Sequence, residues 1–369
     1  MAATRIVMIA GARPNFMKIA PLMRVLGEDP DFEPILVHTG QHYDKNMSGQ
    51  FFADLRIPEP RYHLEAGGGS HAVQTAEIMK RLEPVLMAET PRSVLVVGDV
   101  NSTVAGALVA KKLGIEVIHA EAGLRSFDRS MPEEINRIVT DSISDLLLVT
   151  EESGRVNLLR EGIPEDHIHL VGNLMIDSLQ GNLARALESD IAKRLGIGDA
   201  RFGLVTMHRP ANVDDTSQLA EIASALAVIA QDLKLYWPLH PRTRGRLTEA
   251  GIAPSPRIHT IEPLGYLDFL WMQAHAAVVL TDSGGVQEES TVLQVPCLTL
   301  RENTERPVTI SCGTNRLAGT SKESILAAWR DMLEHPRPGT VPPLWDGRAG
   351  ERCLDVLRAH FVEQYIVHQ

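Results

Sequence analysis

Short apolar runs alternate with longer segments of helical periodicity along almost the whole chain of 369 residues. Runs such as 93–97 (SVLVV) are apolar at nearly every position, which predicts strands of a parallel sheet that is covered by helices on both faces. The pattern predicts strands near residues 5–10, 34–38, 93–98, 116–120, 146–149, 168–171, 202–207, 234–238, 257–261, 277–280 and 296–300. It predicts helices near residues 14–26, 70–88, 102–113, 132–144, 151–161, 217–230, 241–249, 266–274, 285–293, 321–333 and 350–361.

This alternation predicts the α/β class, with two Rossmann-like, doubly wound domains, because the chain is too long for one ordinary core. We expect an N-terminal domain at 1–172 and a C-terminal domain at 173–349, with 350–369 packing back on the first domain. Ligands of such sheets bind beyond the carboxyl ends of the strands. Two of these edges are therefore expected to face each other across a cleft.

The composition of the chain excludes several classes of function. A net charge of −11 argues against a nucleic-acid partner, which requires a basic face. The three cysteines form no CxxC pattern, so neither a disulfide framework nor a metal site is expected. No apolar run has the length of a membrane span, and the first ten residues are too short for a signal peptide. We expect a soluble protein of the cytoplasm without a membrane partner.

The most informative segment is 282–289 (DSGGVQEE), which follows an apolar run and begins a helix. Ser283, Gly284 and Gly285 would present bare backbone N–H groups at the positive end of a helix dipole, where a phosphate binds. Glu289, about two turns later, can accept hydrogen bonds from a sugar diol. The segment is therefore predicted to bind a nucleotide; a simple glycine turn is the alternative.

Charged residues follow the strands of the first domain. Arg13 and Lys18 lie at the start of a helix, where they repel its dipole unless an anion binds between them. Asp99 and Glu121 end strands that are neighbours or next but one, and Glu133 begins a helix that returns to that edge. Solvated cations and helix caps would explain each residue singly, but three converging acids indicate acid–base chemistry.

In the second domain, His208 and His240 follow the first two strands. A histidine at such a position can act as a general acid, donate a hydrogen bond to a phosphate or be an ordinary polar residue. The loop 301–307, with Arg301 and Thr304, closes the same edge and is predicted to bind sugar hydroxyls. His42 is a candidate by the same reasoning. The absence of a GxGxxG segment after the first strand disfavours a nicotinamide dehydrogenase, and P-loop, HExxH and GxSxG motifs are missing as well.

These residues resemble the non-hydrolysing UDP-N-acetylglucosamine 2-epimerases over nearly the whole chain. The resemblance is carried by segments in the same order, namely 11–18 (GARPNFMK), 39–42 (TGQH), Gly98-Asp99, 119–125 (HAEAGLR), 132–137 (PEEINR), Gly172-Asn173, His208-Arg209, 281–289 and 301–307 (RENTERP).

The resemblance implies two Rossmann-like domains of the glycosyltransferase-B type, a cytoplasmic homodimer, a UDP-sugar substrate and no cofactor or metal. It implies that Asp99, Glu121 and Glu133 are the catalytic acids. Arg13, Lys18 and His208 would bind or protonate the diphosphate. Ser283, Gly284 and Glu289 would hold the diphosphate and ribose, and Phe269 would lie beside the uracil.

Two departures leave the exact sugar open. Many bacterial members have HRREN where this chain has 208–212 (HRPAN), and Tyr43-Asp44 replaces their arginine-containing run. These regions form a second, activating substrate site in that group, so such activation is not expected. The segments 11–16 and 39–48 also resemble relatives that act on more decorated UDP-sugars, of the 2,3-diacetamido uronate type. A glycosyltransferase, a hydrolysing epimerase and a non-catalytic nucleotide-sugar sensor also remain open on the sequence.

Overall fold

The computed structural model describes residues 3–41 and 52–363. The chain divides into two compact units: the first comprises Met1–Gly181 with Pro343–Gln369, and the second comprises Asn182–Pro342.

The first unit contains a seven-stranded parallel sheet in the order β3-β2-β1-β4-β5-β6-β7. Its strands are β1 (Thr4–Ala10), β2 (Phe32–His38), β3 (Tyr62–His63), β4 (Ser93–Val97), β5 (Glu116–Ala122), β6 (Leu146–Val149) and β7 (Ile168–Leu170). The helices of this part of the chain are α1 (Arg13–Gly27), α2 (His71–Glu89), α3 (Asn101–Lys112), α4 (Pro132–Ile143), α5 (Glu152–Arg160) and α6 (Leu174–Leu187), which extends past the boundary.

The end of the chain rejoins the first unit through the last helix, α15 (Ala349–Arg358). The Asp177 carboxylate accepts hydrogen bonds from the backbone N–H groups of Ala349 and Gly350, at 3.0 and 2.7 Å. These two groups lie in the first turn of α15, which has no partners for them within the helix. Arg358 pairs with Asp29 at the other end of the helix. The C-terminal helix is therefore fixed at both ends.

The second unit contains a six-stranded parallel sheet in the order β10-β9-β8-β11-β12-β13. Its strands are β8 (Phe202–Thr206), β9 (Lys234–Pro238), β10 (Ile258–Ile261), β11 (Val278–Thr281), β12 (Cys297–Thr299) and β13 (Asn315–Leu317). Its helices are α7 (Ile191–Leu195), α8 (Pro210–Val213), α9 (Thr216–Asp232), α10 (Pro241–Glu249), α11 (Tyr266–His275), α12 (Gly284–Leu293), α13 (Val308–Ser311) and α14 (Lys322–Glu334).

Alternate residues of these strands enter two separate cores. Val205 and Leu280 pack in one cluster with residues of α9 and α14. Leu204 and Val279, their neighbours in sequence, pack in another cluster with residues of α7 and α11. Because successive side chains of a strand point to opposite faces, the sheet is buried on both sides. The uniformly apolar strands follow from this double burial.

The predicted fold class is confirmed: both sheets are parallel and doubly wound. The short edge strands β3 and β13 and the helices α6, α7, α8 and α13 were not predicted from the sequence. None of the helices within residues 3–41 and 52–363 combines the length and apolar character that a membrane crossing requires.

Candidate active site

In each sheet the strand order reverses beside the first strand of the unit, between β1 and β4 and between β8 and β11. Doubly wound proteins bind their ligands at this switch point. In the first unit Asn15 spans it: its Oδ1 accepts hydrogen bonds from the N–H groups of Gly11 and Ala12 (3.3 and 3.1 Å), and its Nδ2 donates to the Val97 carbonyl (2.9 Å). Asn15 thus joins the start of α1, the helix that contains Lys18, to the end of β4, which Asp99 follows.

Glu121 lies near the end of β5, where the register with β6 shifts between Ala120 and Ala122. It adopts a φ of 69°, which is uncommon for a residue other than glycine. Its carboxylate pairs with the Lys18 ammonium group, and the two residues are each 6% exposed. The strained backbone and the buried ion pair together hold this carboxylate in one position, as is common at functional sites.

Asp99 follows β4 and approaches helix α4. Arg137 pairs with the Asp99 carboxylate, and the Asn136 side chain donates to the Asp99 carbonyl at 2.8 Å. Arg137 is in turn held by the buried Glu134, at 2.7 Å. Burial acts to raise the pKa of Glu134, but the backbone N–H groups of Ser126 and Phe127 and the Arg137 guanidinium group outweigh it and lower the pKa. Arg137 is therefore fixed by one carboxylate and presented to the other.

Glu133 lies in the first turn of α4 and is half-buried. It precedes Asn136 and Arg137 by three and four residues, so it shares their helix face toward Asp99. The described residues provide no hydrogen bond or ion pair to its carboxylate. Arg13 is exposed in the first turn of α1, whereas Lys18 of the same helix is buried. The fold thus places the Lys18 ammonium group against Glu121, and it places Asn136 and Arg137 of α4 against Asp99.

A buried network behind these acids was not predicted from the sequence. The His119 ring contacts the Gly98 carbonyl through Nε2 (2.8 Å) and Asp141 through Nδ1 (2.6 Å). Asp141 also pairs with Arg125 at 2.7 Å. Burial acts to raise the pKa of Asp141, but the charges of His119 and Arg125 outweigh it and lower the pKa. Since Gly98 precedes Asp99 and His119 lies two residues before Glu121, the network links the two strand ends.

In the second unit Asp282 joins the two strands at the switch point. Its fully buried carboxylate accepts hydrogen bonds from the N–H groups of His208 (3.1 Å) and Arg209 (3.0 Å) and from the Asn212 side chain (3.2 Å). It also lies 3.2 Å from His208 Nδ1. Burial acts to raise the pKa of Asp282, but the bonds from His208 and Arg209 lower it. The exposed His208 ring is therefore oriented by a residue whose role was not predicted from the sequence.

Helix α12 begins as predicted, with Ser283 at its N-cap and Gly284 and Gly285 in its first turn. The Ser283 side chain makes no capping hydrogen bond, and the backbone N–H group of Ser283 donates to Thr281 Oγ1 at 3.0 Å. A Cβ on Gly284 would lie 2.6 Å from Arg306 Nη1, so glycine is required for the guanidinium group to pack here. A cation and a helix N-terminus thus meet at one point, which suits an anion.

The loop after β12 surrounds one buried carboxylate with cations. Glu305 pairs with Arg306, with Arg301 at 2.7 Å and with Arg209 at 3.5 Å. Burial acts to raise the pKa of Glu305, but the three guanidinium groups outweigh it and hold the pKa well below its usual range. Arg306 also pairs with the buried Glu288 at 2.7 Å, so Glu288 and Glu305 together offset part of the positive charge of the three guanidinium groups.

Glu289 is buried within α12 and accepts a hydrogen bond from the Tyr266 hydroxyl group at 3.2 Å. Burial raises the pKa of Glu289 to about 8, although the bond from Tyr266 acts in the opposite direction. Thr304 donates to the Gln287 side chain at 2.8 Å. Phe269 packs against the apolar core, and His240 is exposed two residues after β9.

One predicted segment of the site falls outside the part of the chain that the structure describes. It contains His42 and Tyr43-Asp44, and it comes after Thr39–Gln41, which directly follow β2. Within the described residues there is no cluster of histidine, cysteine and acidic side chains that would hold a metal ion.

Comparisons with known proteins agree with this geometry. A family model described as UDP-N-acetylglucosamine 2-epimerase matches residues 24–358. The chain is 43% identical over 358 residues to the UDP-N-acetylglucosamine 2-epimerase of Methanocaldococcus jannaschii, with 95% of this chain and 97% of that one covered. It is 41% identical over 357 residues to the UDP-2,3-diacetamido-2,3-dideoxy-D-glucuronate 2-epimerase of Pseudomonas aeruginosa, with 96% and 99% covered.

The fold also matches a crystal structure of the Methanocaldococcus jannaschii UDP-GlcNAc 2-epimerase in complex with UDP-GlcNAc and UDP. The TM-score is 0.91 at 42% identity, and the match covers 96% of this chain and 100% of that one. These matches confirm the resemblance that the sequence predicted. The chain belongs to the UDP-N-acetylglucosamine 2-epimerase family.

Proposed function

We propose that the protein catalyses the reversible epimerisation of UDP-N-acetylglucosamine at C2, which gives UDP-N-acetylmannosamine. The observation that carries the proposal is a pair of carboxylates at the ends of adjacent strands, Asp99 and Glu121, each with its own buried cation, in a chain of this family. Each ion pair holds its carboxylate in one position, so that an oxygen can be presented to the C2 proton of a bound sugar.

The chemistry explains why both acids and cations are needed. The C2–H bond of a 2-acetamido sugar is not adjacent to a carbonyl group, so direct removal of the proton is very hard. The proton becomes acidic as the C1–O bond to UDP breaks: the base takes the C2 proton, the C2–H electron pair forms the C1=C2 double bond, and UDP leaves with the C1–O electron pair. The intermediate is a 2-acetamidoglucal. Addition of a proton to the opposite face of C2, with return of the UDP oxygen to C1, gives the epimer.

We assign these steps to the first unit. Asp99 and Glu121 suit the base because an ion pair holds each carboxylate in one position. Glu133, in the first turn of α4, suits the group that delivers the proton to the opposite face, because it lies on the helix face of Asn136 and Arg137, which contact Asp99. Arg13 and Lys18 stabilise the negative charge that develops on the leaving diphosphate.

We assign UDP to the second unit. The diphosphate would bind at the N-terminus of α12, at Ser283, Gly284 and Gly285, with His208 as a donor. With a pKa of about 8, Glu289 is protonated at neutral pH and both donates and accepts hydrogen bonds, which suits a ribose diol. Arg301, Thr304 and His240 would bind hydroxyl or phosphate groups, and Phe269 the uracil.

One NMR time course tests the reaction. The protein is incubated in deuterated water with UDP-N-acetylglucosamine alone, and the product is expected to be the manno isomer with deuterium at C2. Product without deuterium would rule out the elimination mechanism. Release of free N-acetylmannosamine would indicate a hydrolysing epimerase, and absence of turnover with tight UDP binding would indicate a sensor.

A second arm of the same experiment uses UDP-2,3-diacetamido-2,3-dideoxy-D-glucuronate, because the Pseudomonas aeruginosa relative carries that activity in its name. A higher kcat/KM for this substrate than for UDP-N-acetylglucosamine would show that the decorated sugar is the preferred substrate. A UDP-sugar transferase would leave both substrates unchanged until an acceptor is added.

Replacement of one acid tests the residue assignment. Asp99→Asn is expected to lower kcat at least ~100-fold, a typical contribution of general acid–base catalysis. The control is Glu83→Gln, on an exposed position of α2, which should leave kcat unchanged. Near-normal turnover of Asp99→Asn would remove Asp99 from the catalytic groups. Light scattering tests the homodimer, which we propose on the resemblance alone.

A further inference from the structure

A small cavity in the first unit lies against the Lys18–Glu121 pair. Its walls are formed by Lys18, Glu121, Leu148, Thr150, Val171, Gly172, Asn173 and Leu174. The space open to the centre of a water molecule is about 10 Å³, and one water requires on the order of 10–15 Å³ by that measure. The cavity therefore has room for a single water molecule and for little else.

Two polar groups of the cavity wall have no hydrogen-bond partner among the described residues. The Thr150 hydroxyl group and the Asn173 side-chain NH₂ group are buried and make no hydrogen bond to the described residues. Buried polar groups are nearly always satisfied, by protein or by ordered water. These two groups thus require a partner inside the cavity.

Both residues are held in place by their other contacts. Asn173 Oδ1 accepts a hydrogen bond from the Met175 N–H group at 2.9 Å and so caps helix α6, which leaves its NH₂ group for the cavity. The Thr150 carbonyl accepts a hydrogen bond from the Trp345 indole at 3.1 Å. Gly172 has a φ of 92°, and a Cβ there would lie 2.1 Å from the Leu344 carbonyl. Residues 344 and 345 therefore fix the backbone of this wall, and the bond to Met175 fixes the Asn173 side chain.

The charges of the wall select the occupant. The Lys18 ammonium group and the Asn173 NH₂ group are donors that would repel a cation. The Glu121 carboxylate would repel an anion. A water molecule satisfies both kinds of group, because it can accept hydrogen bonds from Asn173 and Lys18 and donate to Glu121 and to Thr150 Oγ1.

We propose that this cavity binds one water molecule, through which Thr150 and Asn173 position the Glu121 carboxylate. Thr150 and Asn173 are positioning residues, since they act on the reaction through the water and Glu121. The inference gives a role to the Gly172-Asn173 segment, which the proposed function leaves without one. Its kinetic consequence rests on the proposed function, whereas the water site itself does not.

The first test is a high-resolution crystal structure of the full chain. One spherical density peak is expected in the cavity, within hydrogen-bond distance of Thr150 Oγ1, Asn173 Nδ2 and the Glu121 carboxylate. A cavity without density overturns the proposal, whatever reaction the enzyme catalyses. If the water is present and UDP-N-acetylglucosamine is not epimerised, the proposed function fails and the water site stands.

The second test removes one partner of the water without a change of shape. Thr150→Val is expected to lower kcat about 3- to 10-fold, the effect of one hydrogen bond, and to leave KM within about twofold. Thr150→Ser retains a hydroxyl group and should restore kcat. The matched control is Thr140→Val, because Thr140 also has a buried hydroxyl group without a partner among the described residues but does not line the cavity.

Asn173→Asp is an independent variant. It retains the oxygen that caps α6 and replaces the NH₂ donor by an acceptor beside Glu121. It should lower kcat at least as much as Thr150→Val does, with normal folding by circular dichroism. Wild-type kcat in both Thr150→Val and Asn173→Asp would refute the positioning role.

Discussion

The buried Lys18–Glu121 ion pair allows a quantitative test of the structure. The side chain of Lys18 is 7% exposed and that of Glu121 is 6% exposed. Loss of one partner of such a pair leaves an uncompensated buried charge, which destabilises a fold by about 3–5 kcal/mol. Replacement of both partners by neutral residues of similar size is often neutral. The pair is thus expected to show strong coupling rather than a large net contribution to stability.

The perturbation is a double-mutant cycle of Lys18→Met and Glu121→Gln. Lys18→Met should lower the free energy of unfolding of the first unit by about 3–5 kcal/mol, a large fraction of the 5–15 kcal/mol typical of a domain. Glu121→Gln should destabilise it by a similar amount, since the Lys18 ammonium group then lacks its counter-charge. The double variant should be more stable than either single variant, because no buried charge remains.

Hydrogen exchange of peptides from β4 and β5 measures these free energies for the first unit alone, which matters in a chain of two units. The control is Lys111→Met: Lys111 pairs with Asp145 at 2.7 Å, but the two side chains are 37% and 31% exposed. Such a pair contributes only about 0–1 kcal/mol. Additive effects of the two substitutions, with the double variant least stable, would refute the buried pair.

Two further predictions concern stability. The pKa of Glu289 is raised to about 8 by burial, so wild-type stability should fall as pH rises from about 5 toward 8, by at most about 1.4 kcal/mol per pH unit. Glu289→Gln should remove this slope, as urea midpoints measured at each pH would show; an identical pH dependence in the variant and wild type would contradict the assignment. Gly172→Ala should lower stability by at least ~2 kcal/mol, because its φ is 92° and the new Cβ would meet the Leu344 carbonyl. The control is Gly162→Ala: Gly162 also has a positive φ, 85°, but a Cβ there would meet no atom within 4 Å, so the loss of stability should be ~1 kcal/mol. Equal losses of stability in the two variants would show that the contact with Leu344 is absent.

Much of the fold was predictable from sequence because double burial leaves a simple signal. Strands such as β4 are apolar throughout, and each is followed by a segment of helical periodicity. The edge strands β3 and β13 contain two and three residues, which is too short for any period to be recognised. Helix α6 begins at Leu174, directly after the predicted domain boundary, and continues past residue 181, where the units divide. A boundary within a helix has no sign in the composition of the chain.

The candidate acids were predictable from the sequence, but the cations that pair with them were not. Asp99 follows a strand, Glu121 lies near the end of one and Glu133 begins a helix, and these are positions that sequence alone can identify. Which cation pairs with each acid depends on strand order. Arg137 pairs with Asp99 only because β4 and β5 are neighbours and α4 returns across their ends.

The same limit applies to Asp282 in the second unit. The sequence shows it as the first residue after β11, in a segment predicted to bind phosphate, and nothing local indicates that it faces inward. Its carboxylate is fully buried because β8 and β11 are adjacent, which brings the N–H groups of His208 and Arg209 within 3.1 Å. Asp282→Asn would present an NH₂ group to at least one of these donors. His208 should therefore lose its orientation although no group that is proposed to touch the substrate has changed, and the ratio of the loss in kcat to the change in KM would show whether orientation of His208 matters in the transition state or already in substrate binding.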